Sequence, residues 1–195
     1  MRILKKTYIA LIILATILAF AVICQADGAI GTSIEKVEST GGIDRCKYCG
    51  RFIKNGNVHR DALVIVGKQL EEGLYARKIR FAGGKESDRY IHVYIYRFEE
   101  RKGGNYAAEK PAGVGFHMHL FENNTLKQIF VFDENQQALT ENLLGIGKFF
   151  KRGGKWITAE ALSKEGVEKG LDALVENALQ EIEKDSGSPT EDIPR

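Results

Sequence analysis

Two stretches with alternating residues, RYIHVYIYRFE at 89–99 and GVGFHMHLFE at 113–122, decide the fold of this chain. In both, an apolar residue occupies every second position, as in a strand with one face packed on a core. Asn123-Asn124-Thr125 is a turn signal, and Leu126–Asp133 reads as a third strand. Because the links between these segments are short, they predict an antiparallel meander.

Helices are predicted on either side of the strands. One begins at Asn57, a good N-cap, and ends near Arg77-Lys78, before a short strand at Ile79–Ala82. Thr140 can cap a short helix through Phe150, and Thr158 can cap a long one through Lys184. The predicted fold class is α+β: a single domain with a small antiparallel meander of three to four strands and helices packed on it.

The amino terminus has the composition of an export signal. Arg2, Lys5 and Lys6 precede the uncharged run Tyr8–Ile23, and Cys24-Gln25-Ala26 follows. Cys24 suggests a lipoprotein acylated on this thiol. The alternatives are soluble release with a mature chain from Asp27, or an uncleaved signal anchor.

The predicted organisation is an export signal at 1–26, a flexible tether at 27–42, a single domain at 43–184 and a disordered tail at 185–195. Three of the 28 basic residues lie in the signal, so 25 remain against 26 acidic residues and the net charge becomes −1. A nucleic-acid binder needs a basic face, which this balance does not provide.

Cys46-Lys47-Tyr48-Cys49-Gly50 is the sharpest local motif. Two cysteines three residues apart, followed by glycine, form a turn that can present both sulfurs to zinc. A structural zinc site needs four ligands, of which His59 could be a third. In an exported chain the default is a Cys46–Cys49 disulfide or a relic of a metal site, and a catalytic thiol pair is the third alternative.

His92, His117 and His119 are a second group of candidate metal ligands. An H-x-H pair on one strand directs both imidazoles to the same face, and His92 could join them from a neighbouring strand. Glu122 or Asp133 could add a carboxylate. The simpler interpretation is that the histidines line the solvated or helix-covered side of the sheet, beside Tyr94 and Tyr96, without binding a metal.

A loop near residue 150 combines aromatic and basic residues around two glycines. Surfaces of this composition are typical of protein contacts, and such a loop can also touch lipid headgroups. Its candidate partner-contact residues are Phe149, Phe150, Lys151, Arg152, Lys155 and Trp156. The loop Glu99–Lys110 is a second candidate contact surface.

Three segments resemble a family of bacterial envelope lipoproteins: YIYRFEERKGGNYAAEKPAGVGFHMHLFE (94–122), FDENQQALTENL (132–143) and FFKRGGKWITAEALSKEG (149–166). These are similar, more distantly, to the superfamily of the curli-export lipoprotein, the amino-terminal domain of the Tol-system propeller protein and the lipoprotein activators of penicillin-binding proteins. The resemblance implies an accessory domain with no known active site.

The predicted function is therefore that of a non-enzymatic lipoprotein or periplasmic accessory protein, exported to the cell envelope. Its expected partners are envelope proteins or the membrane, with homo-oligomers as a further prospect and no nucleic acid. The alternative is a metal-binding or thiol-redox protein using Cys46 and Cys49, for which zinc is the candidate ion. The motifs of common hydrolases and metalloproteases are missing from the sequence.

Overall fold

A five-stranded mixed sheet forms the centre of the computed structural model, which describes residues 29–38, 41–85, 87–104, 108–135, 147 and 150–186. The strand order in the sheet is β4-β1-β5-β8-β9. The strands are β1 (Ala29–Lys36), β2 (Ile43–Arg45), β3 (Phe52–Lys54), β4 (Arg80–Gly83), β5 (Arg89–Glu99), β6 (Lys102–Gly103), β7 (Ala108–Lys110), β8 (Gly113–Glu122) and β9 (Thr125–Asn135). Two short hairpins, β2–β3 and β6–β7, stand outside this sheet.

The predicted fold class is wrong. Strands β5, β8 and β9 pair antiparallel, but β1 pairs parallel with both β4 and β5, so the sheet is mixed and has five strands. The parallel half of the sheet was not predicted from the sequence, because β1 is the weakly apolar segment AIGTSIEK. This strand lies inside the segment 27–42, which was expected to be a tether.

Two described helices, α1 (Ala62–Ala76) and α2 (Ala159–Ser186), pack on one face of the sheet. Their buried side chains meet the apolar positions of β5 and β8 in one continuous core. The core includes Val66, Leu70, Leu74, Ile91, Val93, Ile95, Phe116, Met118, Leu162 and Leu171. Within the described residues, no helix is both long enough and apolar enough to cross a membrane.

Helix α1 begins later than its sequence pattern suggests. The backbone of Asn57 and His59 pairs with Phe98 at the end of β5, through Phe98 N–H to Asn57 O (2.8 Å) and His59 N–H to Phe98 O (3.1 Å). These residues therefore extend the sheet pairing before the helix starts. At α2 the expected cap is confirmed, since Thr158 Oγ1 accepts a bond from Ala161 N–H at 3.1 Å.

The opposite face of the sheet is covered by the β2–β3 hairpin. Cys46 and Ile53 from the hairpin form a second, smaller core with Tyr94 and Tyr96 of β5 and with Val37. The alternating side chains that point away from the helices are therefore buried as well, which places the two sequence motifs rich in cysteine and histidine against each other.

Candidate metal centre

Strand β8 places His117 and His119 on the face that the β2–β3 hairpin covers. Both side chains are fully buried, with 1% and 0% of their surface exposed. His92 lies directly opposite His119 on β5 and is equally buried. The group His92, His117 and His119 is called the strand histidines below.

The cysteine turn, Cys46–Gly50, connects β2 to β3 and is held by its own backbone. Gly50 N–H donates to Cys46 O and Cys46 N–H donates to Arg51 O, each at 2.8 Å. Gly50 has a φ of 69°, a left-handed conformation that favours glycine at this position. The turn thereby directs both sulfurs towards β8.

Four donor atoms from the two motifs meet at this point. The ligand atoms of Cys46, Cys49, His117 and His119 all lie within 4.8 Å of one another. Cys46 Sγ is 3.5 Å from His119 Nε2, and Cys49 Sγ is 3.4 Å from His117 Nδ1. Tetrahedral zinc with ordinary Zn–S and Zn–N bonds separates sulfur and nitrogen by about 3.6 Å, so the described geometry fits such an ion.

The second nitrogen of His119 supports the same interpretation. His119 Nδ1 lies 3.3 Å from the carbonyl oxygen of His92, to which it can donate, and this leaves Nε2 with a lone pair facing Cys46. A metal-binding imidazole commonly has its other ring nitrogen held in this way. Burial lowers the pKa of both His117 and His119 to about 4, so both rings are neutral, as a metal ligand must be.

A polar network anchors the cysteine turn to β1. Lys47 Nζ and the Tyr48 hydroxyl both donate to the carboxylate of Glu35. Burial alone would raise the pKa of Glu35, but these two hydrogen bonds hold it below its usual range. The Tyr48 ring also lies against His92, with ring centroids 4.1 Å apart.

His92 stands beside the four-ligand group without belonging to it. Neither of its ring nitrogens has a hydrogen-bond partner among the described residues, and Nε2 is 3.8 Å from Glu35. Burial, and then the charge of Lys85, lower its pKa to about 4. A neutral His92 therefore lines the site, while its backbone carbonyl orients His119.

Both cysteines of the cysteine turn are free thiols, with Cys46 buried and Cys49 half-buried. Burial raises the pKa of Cys46 above its usual range. Reactive cysteine pairs in thiol-redox proteins instead have a lowered pKa and an electropositive setting. The environment of Cys46 thus suits a metal ligand, whose thiolate is stabilised by the ion, better than a free catalytic thiolate.

The other candidate ligands lie elsewhere. His59 is exposed and its Nδ1 is 3.7 Å from Asp61, outside the four-ligand group. Glu122 pairs with Arg89, and Asp133 pairs with Arg97 and accepts a bond from the Tyr96 hydroxyl. None of these three belongs to the metal group found among the described residues.

The loop near residue 150 lies at the far end of the strands from the start of β1. Arg101 Nη1 donates to Trp156 O at 3.2 Å, and Arg152 binds Glu165 and Glu134. The Arg152 cation is therefore engaged within the domain, whereas Phe150 is 70% exposed. Phe149 and Cys24 lie outside the described residues.

Sequence reasoning identified all four members of the group but assigned them to separate motifs. What it missed is that residues 68 and 73 positions apart come together. It also missed Glu35, which looked like part of a tether. The H-x-H spacing predicted that both rings share one face of the sheet, but it did not predict that the β2–β3 hairpin covers that face.

Comparison with known proteins leaves the family open. No protein-family model and no curated protein matches the sequence. Among solved structures, the chain is similar to the PelC dodecamer from Paraburkholderia phytofirmans (12% identity, TM-score 0.44, covering 75% of this chain and 86% of that one). It is also similar to a DUF330 protein from Xanthomonas campestris (11%, 0.41, 84% and 90%) and a minor lipoprotein from Acinetobacter baumannii (8%, 0.28, 80% and 94%). At these values the likenesses assign no function.

Proposed function

We propose that the protein is an exported, non-enzymatic accessory protein of the cell envelope, attached to a membrane through Cys24, whose domain carries one structural zinc ion. The observation that supports the zinc is the group of Cys46, Cys49, His117 and His119, of which all but the half-buried Cys49 are buried. The sulfur-to-nitrogen separations of 3.5 and 3.4 Å support a tetrahedrally coordinated ion over a chance grouping of polar side chains.

A structural role follows from the number of ligands. Catalytic zinc sites keep three protein ligands and one open position for water or substrate, whereas four protein ligands close the coordination sphere. Three of the four ligands here are also fully buried, which keeps substrates away from the ion. The bound ion supplies a cross-link between the β2–β3 hairpin and the sheet, and these residues hold it.

The zinc site is tested by metal analysis of protein purified without chelators. We expect one zinc per chain in the wild type and in the control variant His59→Ala, which lies outside the group. Cys46→Ser and His119→Ala should each lose the ion. Cobalt(II) exchanged into the site should give the absorption spectrum of a tetrahedral thiolate complex.

A metal-free protein with a closed Cys46–Cys49 disulfide would contradict the zinc proposal. Intact mass spectrometry with and without reductant distinguishes this state, and the same spectrum tests the anchor. A chain that begins at Cys24 and carries acyl groups is expected. A chain that begins at Asp27 without lipid would refute attachment to the membrane while leaving the zinc result unaffected.

A further inference from the structure

The first described strand begins close to the proposed anchor. Ala29 follows Cys24 by five residues, and five residues span at most about 18 Å when fully extended. In the sheet, Ala29 lies beside Arg80 and Ile30 beside Phe81, because β1 and β4 run parallel. The lipid on Cys24 would therefore hold the surface around the start of β4 near the membrane.

That surface exposes two aromatic rings and two cations. Tyr75 is 84% exposed and Phe81 is 45% exposed, although both are large apolar side chains. Lys78 and Arg80 are exposed beside them, and all four line one open groove of about 580 Å³. Together they form the basic aromatic patch (Tyr75, Lys78, Arg80 and Phe81).

The two cations are available to an external anion. Neither Lys78 nor Arg80 forms an ion pair with a carboxylate in the part of the chain that the structure describes. Their neighbour Arg77 differs, since it binds Glu168 and Asp172 and links α1 to α2. Exposed rings flanked by free cations match the interface of an anionic bilayer, where aromatic rings sit at headgroup level and lysine and arginine meet phosphate.

The aromatic and basic loop near residue 150 lies at the opposite end of the sheet. Strand β5 rises by about 3.3 Å per residue, so its 11 residues separate the two ends by about 33 Å. Trp156 contacts Arg101 just beyond the end of β5, whereas Tyr90 near its start pairs with Gly31 of β1. An anchor five residues before β1 thus brings the basic aromatic patch, and not the Trp156 loop, to the membrane.

We infer that the basic aromatic patch rests on the anionic headgroups of the bilayer that holds the Cys24 lipid, so that the β1–β4 end of the sheet faces the membrane. The inference depends on the proposed lipid attachment. It orients the domain, and it leaves the loop around Phe150 facing away from the bilayer.

Tryptophan quenching by brominated lipid tests this orientation in the full, acylated chain. The wild type has one tryptophan, Trp156, which reports on the far end of the sheet. The variant Tyr75→Trp/Trp156→Phe places the only indole in the patch, at a position that is exposed and so tolerates the change. Both proteins are inserted into vesicles of phosphatidylglycerol and phosphatidylcholine, with and without bromine on the acyl chains.

We expect the indole introduced at position 75 to lose fluorescence in brominated vesicles and Trp156 to keep it. In the Tyr75→Trp/Trp156→Phe background, Lys78→Gln and Arg80→Gln should each lower the ratio of bound to free patch about fivefold. Lys151→Gln, at the far end, should leave that ratio unchanged.

Mass spectrometry of the same samples distinguishes a failure of the proposed orientation from a failure of the proposed lipid attachment. Acylated protein with an unquenched indole at position 75 overturns the inference and keeps the anchor, as does quenching of Trp156 instead. Protein without an acyl group and without quenching overturns both. Quenching that is equal in neutral and anionic vesicles also overturns the role of the two cations.

Discussion

Removing one ligand of the proposed zinc site should lower the thermal stability of the domain by a predictable amount. Cys49→Ser is the best perturbation, because Cys49 is half-buried and serine is nearly the same size, so packing changes little. The variant leaves three protein ligands and should lose the ion. Any loss of stability then reports the missing cross-link between the β2–β3 hairpin and β8.

The size of the effect follows from the length of chain that the ion closes. Cys49 and His117 are 68 positions apart, and Cys46 and His119 are 73 apart. A single cross-link over a loop of this length restricts the unfolded chain by about 4 kcal/mol. For a domain of this size each kcal/mol corresponds to about 2–4 °C, so we expect the unfolding temperature to fall by about 8–16 °C.

Circular dichroism melting of the zinc-loaded proteins, with and without chelator, measures this fall. Chelator should bring the wild type and His59→Ala down to the unfolding temperature of Cys49→Ser, and it should leave Cys49→Ser almost unchanged. If metal analysis shows that zinc is gone while the wild type melts within about 2 °C of its loaded form, less than the shift of even one kcal/mol, the cross-link argument is refuted.

Three further predictions concern the sheet and its helices. Burial lowers the pKa of each of the strand histidines from 6.5 to about 4, so the unfolded chain binds more protons than the folded chain in this pH range. The metal-free domain should therefore lose stability as the pH falls from about 6.5 to about 4, by up to about 1.4 kcal/mol for each histidine and each unit of pKa shift. Urea titrations at a series of pH values measure this loss. Gly166→Ala should cost about 1–2 kcal/mol in urea unfolding, because its new methyl group would stand 2.7 Å from the Phe132 ring and 2.8 Å from the Phe116 ring. A gain in stability would show that the helical preference of alanine outweighs this crowding. Arg152→Ala should cost about 2 kcal/mol by calorimetry, since it removes a largely buried cation that binds the carboxylates of Glu134 and Glu165. The exposed Lys151→Ala should stay within about 0.5 kcal/mol, and equal effects would contradict the assignment.

The sequence predicted what depends on local periodicity. The sequence predicts strands β5, β8 and β9 because a half-buried strand alternates with period two. It predicts the Thr158 cap because a cap needs a hydroxyl at a fixed offset. Strand β1 was not legible. Its glycine, serine and threonine residues match a linker in composition, and only its position between β4 and β5 makes it a central strand.

The candidate site shows the same division between local and long-range information. The spacing of Cys46 and Cys49 predicts a turn with converging sulfurs, and the spacing of His117 and His119 predicts two rings on one face. Neither spacing predicts that the two motifs come into contact. Their meeting depends on how the β2–β3 hairpin folds back over the sheet, which is fixed by the small core around Ile53 and Tyr96 and by the bonds of Lys47 and Tyr48 to Glu35.

This arrangement also distinguishes zinc from the disulfide that an oxidising compartment favours. A Cys46–Cys49 bridge would close a loop of four residues, worth only about 2 kcal/mol, and would link the hairpin to itself. Zinc would close loops of 68 and 73 positions and link the hairpin to the sheet. A disulfide would also leave the sulfur-facing nitrogens of two buried histidines, Nδ1 of His117 and Nε2 of His119, without the donor that a thiol or a metal ion supplies, and such unpaired buried groups cost about 1–3 kcal/mol each. The histidines of β8 therefore favour the metal over the disulfide, because the metal uses all four side chains at once whereas the disulfide uses only the two sulfurs.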